Sequence, residues 1–436
     1  MLRNRLHDGI LPHITSTLRA TRRRASPTRS ADDIVLTHRG VATRRVVVFT
    51  SRYPATHAGG IERVVASLVP HLNAAPNNWH AQHLAAFRRP AGLAKIPLLG
   101  DIVASVRLAR RAPSMARVLV INGAEYAWAP LVLARLRTRQ MIVVVWHGVR
   151  SLEAIPPSTN IVDRVLKRVF LKVSDRVQQA ALHADATVAV SPSVAEEIGM
   201  RFNFTGSIHV ISNGVEQRPS AGVMRRLDPA HAAFRCDKAL RVVWIGTSSH
   251  KKGLDIALEA CHDARRRGLN TTLSIVGLHA SQHGGNRGSE AWVRWCGHLC
   301  PPDVDALLLE QDVFLFPTRY EACSMAVLEA MASALPVVGS EVIQWQVESA
   351  GVIVSGYDPR DYADALLTLA DDNCRRLLAA RALERSRTFC WEVAAGAYLR
   401  LFNDTTLPAD DPVLRHDCSS APAARADNAH DLSALD

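Results

Sequence analysis

Short apolar runs rich in β-branched residues alternate with amphipathic stretches along most of the 436-residue chain. A first series begins with a strand predicted at 44–54 and ends with one at 207–215. A second series restarts at 240, after a segment of weak periodicity at 216–239 that we interpret as a linker. Apolar strands that alternate with helices predict parallel sheets covered on both faces. The pattern therefore predicts an α/β fold of two doubly wound, Rossmann-like domains facing a central cleft.

We place an N-terminal domain at 44–222 and a C-terminal domain at 223–390, with helices continuing from a strand at 335–341 to about 403. The first 43 residues are rich in Arg and Ser and lack the apolar core of a secretory signal, which predicts a disordered basic extension. An arm for anionic lipid headgroups and a transit peptide remain alternatives for it. The acidic, Ala-rich tail at 404–436 is also predicted to be disordered.

The formal net charge of +11 is compatible with nucleic acid, an anionic membrane surface or an acidic substrate as partner. No helix-turn-helix, finger or sheet-aromatic signature is present, so we expect no nucleic acid partner. The apolar runs are far shorter than the roughly 20 residues of a bilayer span. The eight cysteines are irregularly spaced, which favours reduced cytoplasmic thiols over a metal site.

Ligands of doubly wound sheets bind beyond the carboxyl ends of the strands, so the residues that follow each strand are candidates. Gly59 and Gly60 follow the first strand and open a helix, where backbone N–H groups could face an anion. His147 follows the apolar run "MIVVVW" and would point into the cleft. The alternatives are a tight turn for the glycines and a histidine satisfied by backbone contacts.

Two cations and two acids follow strands of the second series. Lys251 and Lys252 precede Gly253 and a helix, an arrangement suited to a diphosphate, although neither the Walker nor the dinucleotide glycine pattern is present. Glu321 follows the strand "DVFLFPT", and Glu329 lies in the apolar helix after it, where a carboxylate needs hydrogen-bond partners such as sugar hydroxyls. A solvated lysine pair, a helix-start acid and a buried structural acid remain the alternatives.

The stretch "RYEACSMAVLEAMASALPVV" resembles the paired-glutamate signature of the retaining glycosyltransferases of family 4, which have the two-domain GT-B fold. The segments "AGGIERV", "VVVWHG", "IHVISNGVE" and "RVVWIGTSSHKKGLD" agree with it in order and spacing over about 44–403. The resemblance implies that Gly60, Lys251 and Lys252 bind the donor diphosphate. It implies that His147 and Glu321 contact the transferred sugar, and that Glu329 holds the ribose. It also implies that the helix at 391–403 crosses back to the N-terminal domain.

Two departures from the family pattern affect the donor site. Thr247 stands where many members carry Arg, and "EACS" replaces the usual Glu-Gly-Phe-Gly. The amides that would cradle the donor in that loop then belong to Cys323 and Ser324. Both departures concern the donor preference and leave the fold and the class unchanged.

The resemblance implies a retaining hexosyltransferase that moves a sugar from a UDP- or GDP-linked donor to a glycan or lipid-linked acceptor. Cell-envelope polysaccharide or lipopolysaccharide synthesis is the expected setting, without a metal or other cofactor. We expect the protein in the cytoplasm, with peripheral contact to the inner face of an anionic cytoplasmic membrane as a further option. A nucleotide-sugar 2-epimerase and a non-catalytic nucleotide-sugar-binding protein of the same fold are the alternatives.

Overall fold

The computed structural model describes residues 45–54, 60–88, 99–113, 116–137, 140–149, 161–217, 221–228, 239–280 and 290–404. The predicted extension at 1–43 and the tail beyond 404 lie outside these ranges, as does Gly59. The described residues from 45 to 404 belong to one compact unit, so the domain boundary that we place at 222/223 stays a prediction. No helix in the described part of the chain is long and apolar enough to cross a bilayer.

Two six-stranded parallel sheets form the framework. The first contains β1 (Arg45–Ser51), β2 (Trp79–Ala85), β3 (Val118–Asn122), β4 (Met141–Trp146), β5 (Ala186–Ala189) and β6 (Ile208–Val210), in the order β2-β1-β3-β4-β5-β6. The second contains β7 (Leu240–Ile245), β8 (Thr271–Val276), β9 (Val293–Gly297), β10 (Val313–Phe316), β11 (Val337–Ser340) and β12 (Gly351–Val354), in the order β12-β11-β10-β7-β8-β9. The predicted pair of doubly wound sheets is confirmed.

Helices connect the strands and cover the sheets. The first half contains α1 (Gly60–Ala74), α2 (Leu99–Arg111), α3 (Trp128–Arg137), α4 (Ile161–Ala181) and α5 (Pro192–Phe202). The rest of the described chain contains α6 (Ala221–Leu227), α7 (Leu254–Arg266), α8 (Pro301–Glu310), α9 (Met325–Ala332), α10 (Gln344–Val347), α11 (Pro359–Thr368), α12 (Asp372–Ser386) and α13 (Trp391–Asp404).

The central strands are continuous apolar runs because helices cover both of their faces. Every residue of β3, β4 and β10 is buried. The final helix, α13, packs on the first sheet: the rings of Tyr398 and Phe402 lie 5.5 and 6.3 Å from that of Phe49 in β1. The chain thus returns from the second sheet to the first, and the cleft lies between the two.

Three elements differ from the sequence-based expectation. Helix α2 was not predicted, because it buries the polar Asp101 and Ser105 while Ile102 and Val106 face solvent. Asp101 pairs with Arg52 at 2.7 Å, and the Ser105 hydroxyl accepts the Ala129 N–H and donates to the Tyr126 carbonyl. These polar groups satisfy each other beside the buried Ala104 and Leu108, so the buried side of α2 is mixed and lacks the uniformly apolar pattern of a typical surface helix.

The other two corrections concern 216–239 and the region after 341. The segment interpreted as a linker contains α6, which is fixed by tertiary contacts: Arg226 donates to the carbonyls of Leu308, Leu309 and Ser333. The expectation of helices alone from 341 to 403 is wrong at β12 (Gly351–Val354), a four-residue edge strand. Gly351 lets this strand approach β11, since a Cβ atom there would lie 2.0 Å from the Val337 carbonyl oxygen.

Candidate active site

The loops after β7 and β10 lie against each other and carry a close group of charged side chains. Lys252 Nζ forms an ion pair with Glu321 Oε2, and both side chains are mostly buried. The Thr318 hydroxyl and the Arg319 N–H both donate to the carbonyl of Lys251, at 3.1 and 2.9 Å. The ammonium and the carboxylate therefore occupy fixed positions at the carboxyl ends of two adjacent strands.

Gly253 sets the path of the lysine loop into α7. It adopts a left-handed conformation with φ of 67°, and a Cβ atom there would lie 1.9 Å from the carbonyl oxygen of Pro317. The indole N–H of Trp244 in β7 donates to the carbonyl of Lys252 at 3.0 Å, which holds the loop from the other side. Only glycine fits this position, because any side chain would meet backbone atoms.

Lys251 lies beside Lys252 and is also removed from solvent. Its Nζ lies 4.6 Å from the centroid of the Tyr320 ring. Burial first, and then the neighbouring charge of Lys252, lower the pKa of Lys251 below its usual value. A pair of crowded ammonium groups is a favourable place for a multiply charged anion, since such a ligand would relieve their mutual repulsion.

His147 lies at the carboxyl end of β4, where its Nε2 is 3.0 Å from Asn122 Oδ1. An amide oxygen only accepts, so this ring nitrogen carries a hydrogen and Nδ1 is left as an acceptor. Burial lowers the pKa of His147 to about 4, which keeps the ring neutral at neutral pH. The side chain can therefore accept and donate hydrogen bonds but supplies no positive charge.

Asn122 was missed by the sequence-based prediction, although it ends β3 just as polar residues end the neighbouring strands. Its Nδ2 atom is buried without a hydrogen-bond partner in the described part of the chain. A buried donor without a partner is costly, so a ligand group in the cleft would stabilise it. The sequence feature that could have identified Asn122 is its position as a polar residue at the end of the apolar run of β3.

Tyr320 connects the two sides of the cleft. Its hydroxyl accepts the N–H of Val149 at 3.1 Å and lies 3.0 Å from the carbonyl oxygen of the same residue. It also lies 3.3 Å from Glu197 Oε2 in α5. Gly148, with φ of 126°, leaves room for it, because a Cβ atom there would lie 2.8 Å from the tyrosine oxygen. The contact holds the segment of His147 against that of Glu321.

Glu329 forms an ion pair with Arg63, which lies on α1 three residues after Gly60. The Glu329 side chain is 12% exposed, and the pair borders a cavity of about 300 Å³ that also includes Asp305 and Ser333. Within the described ranges, a Cβ atom on Gly60 would have no neighbour closer than 4 Å. The acid predicted to hold ribose thus lies beside a small cavity and already has a cationic partner.

The "EACS" loop is built from buried groups. Cys323 is buried, which raises the pKa of its thiol to about 12, and its carbonyl accepts from Asn213 Nδ2 at 3.2 Å. The Ser324 hydroxyl caps α9, and its backbone N–H donates to Gln346 Oε1 at 3.1 Å. The Ser324 N–H is therefore already hydrogen-bonded within the protein in this conformation. Thr247, which follows β7, is exposed. The donor-binding roles predicted for these residues stay predictions.

A larger cavity of about 1200 Å³ lies next to Glu321, between α5 and the segment around α10. Trp345, Glu196 and Glu341 line it together with Tyr320. A cavity of this size can hold a small-molecule ligand. Among the described residues, no group of three or more His, Cys, Asp or Glu side chains is placed to hold a metal ion.

Two family models match the chain, one on each half. The model described as Glycosyltransferase Family 4 matches 58–218, and that described as Glycosyl transferases group 1 matches 239–372. A D-inositol 3-phosphate glycosyltransferase of Corynebacterium glutamicum (strain R) is 32% identical over 122 residues, 27% of this chain and 29% of that protein. The O-antigen chain mannosyltransferase B of Escherichia coli is 34% identical over 109 residues, 24% and 28% of the two chains.

Solved structures match over a longer range at lower identity. Sucrose-phosphate synthase from Thermosynechococcus elongatus superposes with a TM-score of 0.64 at 20% identity, over 83% of this chain and 99% of that one. WaaG, a glycosyltransferase involved in lipopolysaccharide biosynthesis, gives 0.59 at 14% identity, over 81% and 99%. At these identities the structures show the shared fold alone. The curated relatives above are matched over less than a third of their lengths, 29% and 28%.

Proposed function

This chain belongs to the family 4, group 1 glycosyltransferases and has their GT-B fold, and on that premise we propose that it is a hexosyltransferase. It would move a hexose from a UDP- or GDP-linked donor to a hydroxyl group, with retention of the anomeric configuration. The observation that carries the proposal is the Lys252–Glu321 ion pair beside Lys251, placed across the cleft from His147.

The donor would lie along the carboxyl ends of β7 and β10. Lys251 and Lys252 would bind the diphosphate, whose negative charge would offset both the burial and the neighbouring Lys252 charge that lower the pKa of Lys251. Glu321, already oriented by Lys252, would accept hydrogen bonds from sugar hydroxyls. His147 would contact the sugar from the opposite side as a neutral group. Glu329 would hold the ribose, which requires its contact with Arg63 to rearrange or be shared.

In the proposed reaction the acceptor oxygen bonds to the anomeric carbon on the face from which the nucleoside diphosphate departs. The bond from that carbon to the phosphate oxygen breaks through an oxocarbenium-like state, and the departing phosphate takes the acceptor proton. Lys251, Lys252 and the Gly60 amide would stabilise the leaving charge. Glu321 is ion-paired, so we assign it to sugar binding and not to the proton transfer of a glycosidase acid–base pair. We expect the reaction to need no metal ion.

A glycan or lipid-linked molecule of cell-envelope polysaccharide synthesis is the acceptor that we propose. It is supported by the likeness to an O-antigen mannosyltransferase and, for the fold, to a lipopolysaccharide-synthesis glycosyltransferase. We place the reaction in the cytoplasm, at the inner face of the cytoplasmic membrane. The cavity beside Glu321 would take the sugar that carries the reactive hydroxyl.

A panel of UDP- and GDP-hexoses tests the proposal, first by thermal shift and then by release of nucleoside diphosphate with and without glycan acceptors. We expect Lys252→Ala and Glu321→Ala to lose transfer, whereas Arg360→Ala, which breaks the exposed pair with Asp358, should retain it. Full transfer by both site variants would refute the assignment. Donor turnover to a 2-epimer would favour an epimerase, and donor binding without any sugar release would favour a binding protein.

A further inference from the structure

Large apolar side chains are exposed mainly on three helices of the first half. Of the thirteen that are exposed in the described ranges, seven lie on α2, α3 and α4. These helices connect β2 to β3, β3 to β4 and β4 to β5, and each step runs in the same direction across the sheet. Right-handed crossovers therefore put all three helices on one face of that sheet, opposite α1.

Helix α4 presents an apolar row and a basic row side by side. Val165, Val169 and Val173 are spaced by four residues and are 52%, 54% and 41% exposed. Arg168, Lys172 and Arg176 have the same spacing and are also exposed. Residues spaced by four lie one above the other on a helix, so the two rows run in parallel.

The opposite side of α4 faces the core, since Leu171, Ser174 and Gln178 are buried. The apolar row is therefore not the side that packs against the sheet. On the same helix, the carboxylate of Asp175 is neutralised by Arg201, with Nη2 to Oδ1 at 3.0 Å. The outward side of α4 thus keeps its positive charge.

Helix α2 continues the same pattern. Leu99, Ile102 and Val106 point to solvent, and Arg110 is exposed at the carboxyl end of the helix. Helix α3 lies between α2 and α4, contacts both, and adds the exposed Val132. Exposed apolar side chains therefore extend over three adjacent helices, with exposed cations on the two outer ones, α2 and α4.

We propose that this outward face of α2, α3 and α4, which we call the helical face, docks on an anionic lipid bilayer. Helices that lie in a membrane interface combine an apolar row with Lys and Arg, because the first enters the acyl boundary and the second meets anionic headgroups. A second copy would set the basic rows of a two-fold contact against each other. The extension at 1–43 carries eight Arg and three Asp, and its like charge disfavours it as the occupant.

Sedimentation of the full chain with vesicles of equal parts phosphatidylglycerol and phosphatidylcholine tests the docking, with pure phosphatidylcholine as the reference. We expect binding to the anionic vesicles at about 0.1 M salt and weaker binding at about 1 M, where charges are screened. The triple variant Arg168→Gln, Lys172→Gln, Arg176→Gln should lower the partition constant on the order of 100-fold, since each basic residue contributes about fivefold.

Two matched variants carry the same change of three charges. Arg376→Gln, Arg381→Gln, Arg387→Gln removes cations from the region of α12, and Arg22→Gln, Arg23→Gln, Arg24→Gln removes them from the extension. We expect both to bind nearly as the parent chain does. If only the extension variant binds vesicles more weakly, the helical face is refuted as the docking surface. Equally weakened vesicle binding by all three charge variants would refute it as well.

The apolar row is tested by Val165→Ser, Val169→Ser, Val173→Ser, which should weaken the binding that remains at high salt. A dimer in light scattering that this variant abolishes, without any vesicle binding by the parent chain, would overturn the proposal in favour of self-association. Vesicle binding needs neither donor nor acceptor, so its failure would leave the proposed transfer chemistry untouched and would count only against its placement at the membrane.

Discussion

Tyr320 holds the two sides of the cleft together through one hydroxyl group, which Tyr320→Phe would remove. That hydroxyl accepts the N–H of Val149 at 3.1 Å, and Val149 is buried. Without it, a buried N–H loses its partner, which costs about 1–3 kcal/mol. We take about 2 kcal/mol as the free energy that the variant needs to align the two sides of the cleft. If this cost is added to the barrier for sugar transfer, kcat/KM should fall about thirtyfold.

The loss should appear in transfer and not in nucleotide binding. The nucleoside diphosphate is proposed to bind mainly through Lys251, Lys252 and Glu329 of the second half of the chain, with the Gly60 amide as its contact from the first half. Its Kd, measured by calorimetry, should therefore stay within about threefold of the parent value. Burial, and then the charge of Glu197, raise the pKa of Tyr320 well above its usual value. The hydroxyl stays protonated in ordinary buffers, so the defect should not depend on pH between about 6 and 9.

Tyr362→Phe is the matched control, because the Tyr362 hydroxyl donates to the Gly356 carbonyl at 3.0 Å within the second half. It should lower the melting temperature but leave kcat/KM within about twofold. A Tyr320→Phe protein with the parent kcat/KM would refute the alignment role. Equal losses of kcat/KM in Tyr320→Phe and Tyr362→Phe would also refute it.

The remaining predictions concern Gly148, Gly253 and His147. Gly148→Ala should reduce kcat/KM more in the parent chain than in the Tyr320→Phe background, since the nearest atom to the new Cβ is the tyrosine oxygen. Equal reductions in both backgrounds, measured in a double-mutant cycle, would contradict this contact. Gly253→Ala should destabilise the fold by more than about 2 kcal/mol in urea unfolding, from left-handed strain and the clash with the Pro317 carbonyl; an unchanged midpoint would contradict it. His147 stays neutral in the fold down to pH about 4 but protonates near its ordinary value when unfolded, so its contribution to stability is lost as pH falls from about 6.5 towards 4. His147→Gln should flatten that part of the stability profile, and an identical profile would refute the burial of a neutral ring.

The sheets were predictable from sequence because buried parallel strands read as apolar runs. Strands such as β4 and β10 and the helices after them follow that rule. Helix α2 does not, since Asp101 and Ser105 lie on its buried side among apolar residues. Their partners, Arg52 and the Tyr126 carbonyl, are contacts that no local pattern reveals. The edge strand β12 is as short as β10 but was missed because it begins with a glycine and, at the edge of the sheet, three of its four residues are only partly buried, unlike a central strand.

The candidate site was partly predictable for a similar reason. His147, Lys252 and Glu321 each follow a strand, and strand ends meet at one edge of a sheet. Their partners come from distant sequence: Tyr320 and Val149 are 171 residues apart, and Arg63 and Glu329 are 266 apart. Only the folded chain brings these pairs together, so the alignment of the two sides could not be read from the sequence.

The anomeric configuration of the transferred sugar tests the central claim most directly. The donor that gives the largest thermal shift would be incubated with a glycan acceptor, and the product followed by proton NMR from the first turnovers, with Lys252→Ala as the inactive reference. We predict a new glycosidic bond with the anomeric configuration of the donor, formed in step with release of nucleoside diphosphate. An inverted product, or donor consumed without a new glycosidic bond, would contradict the account.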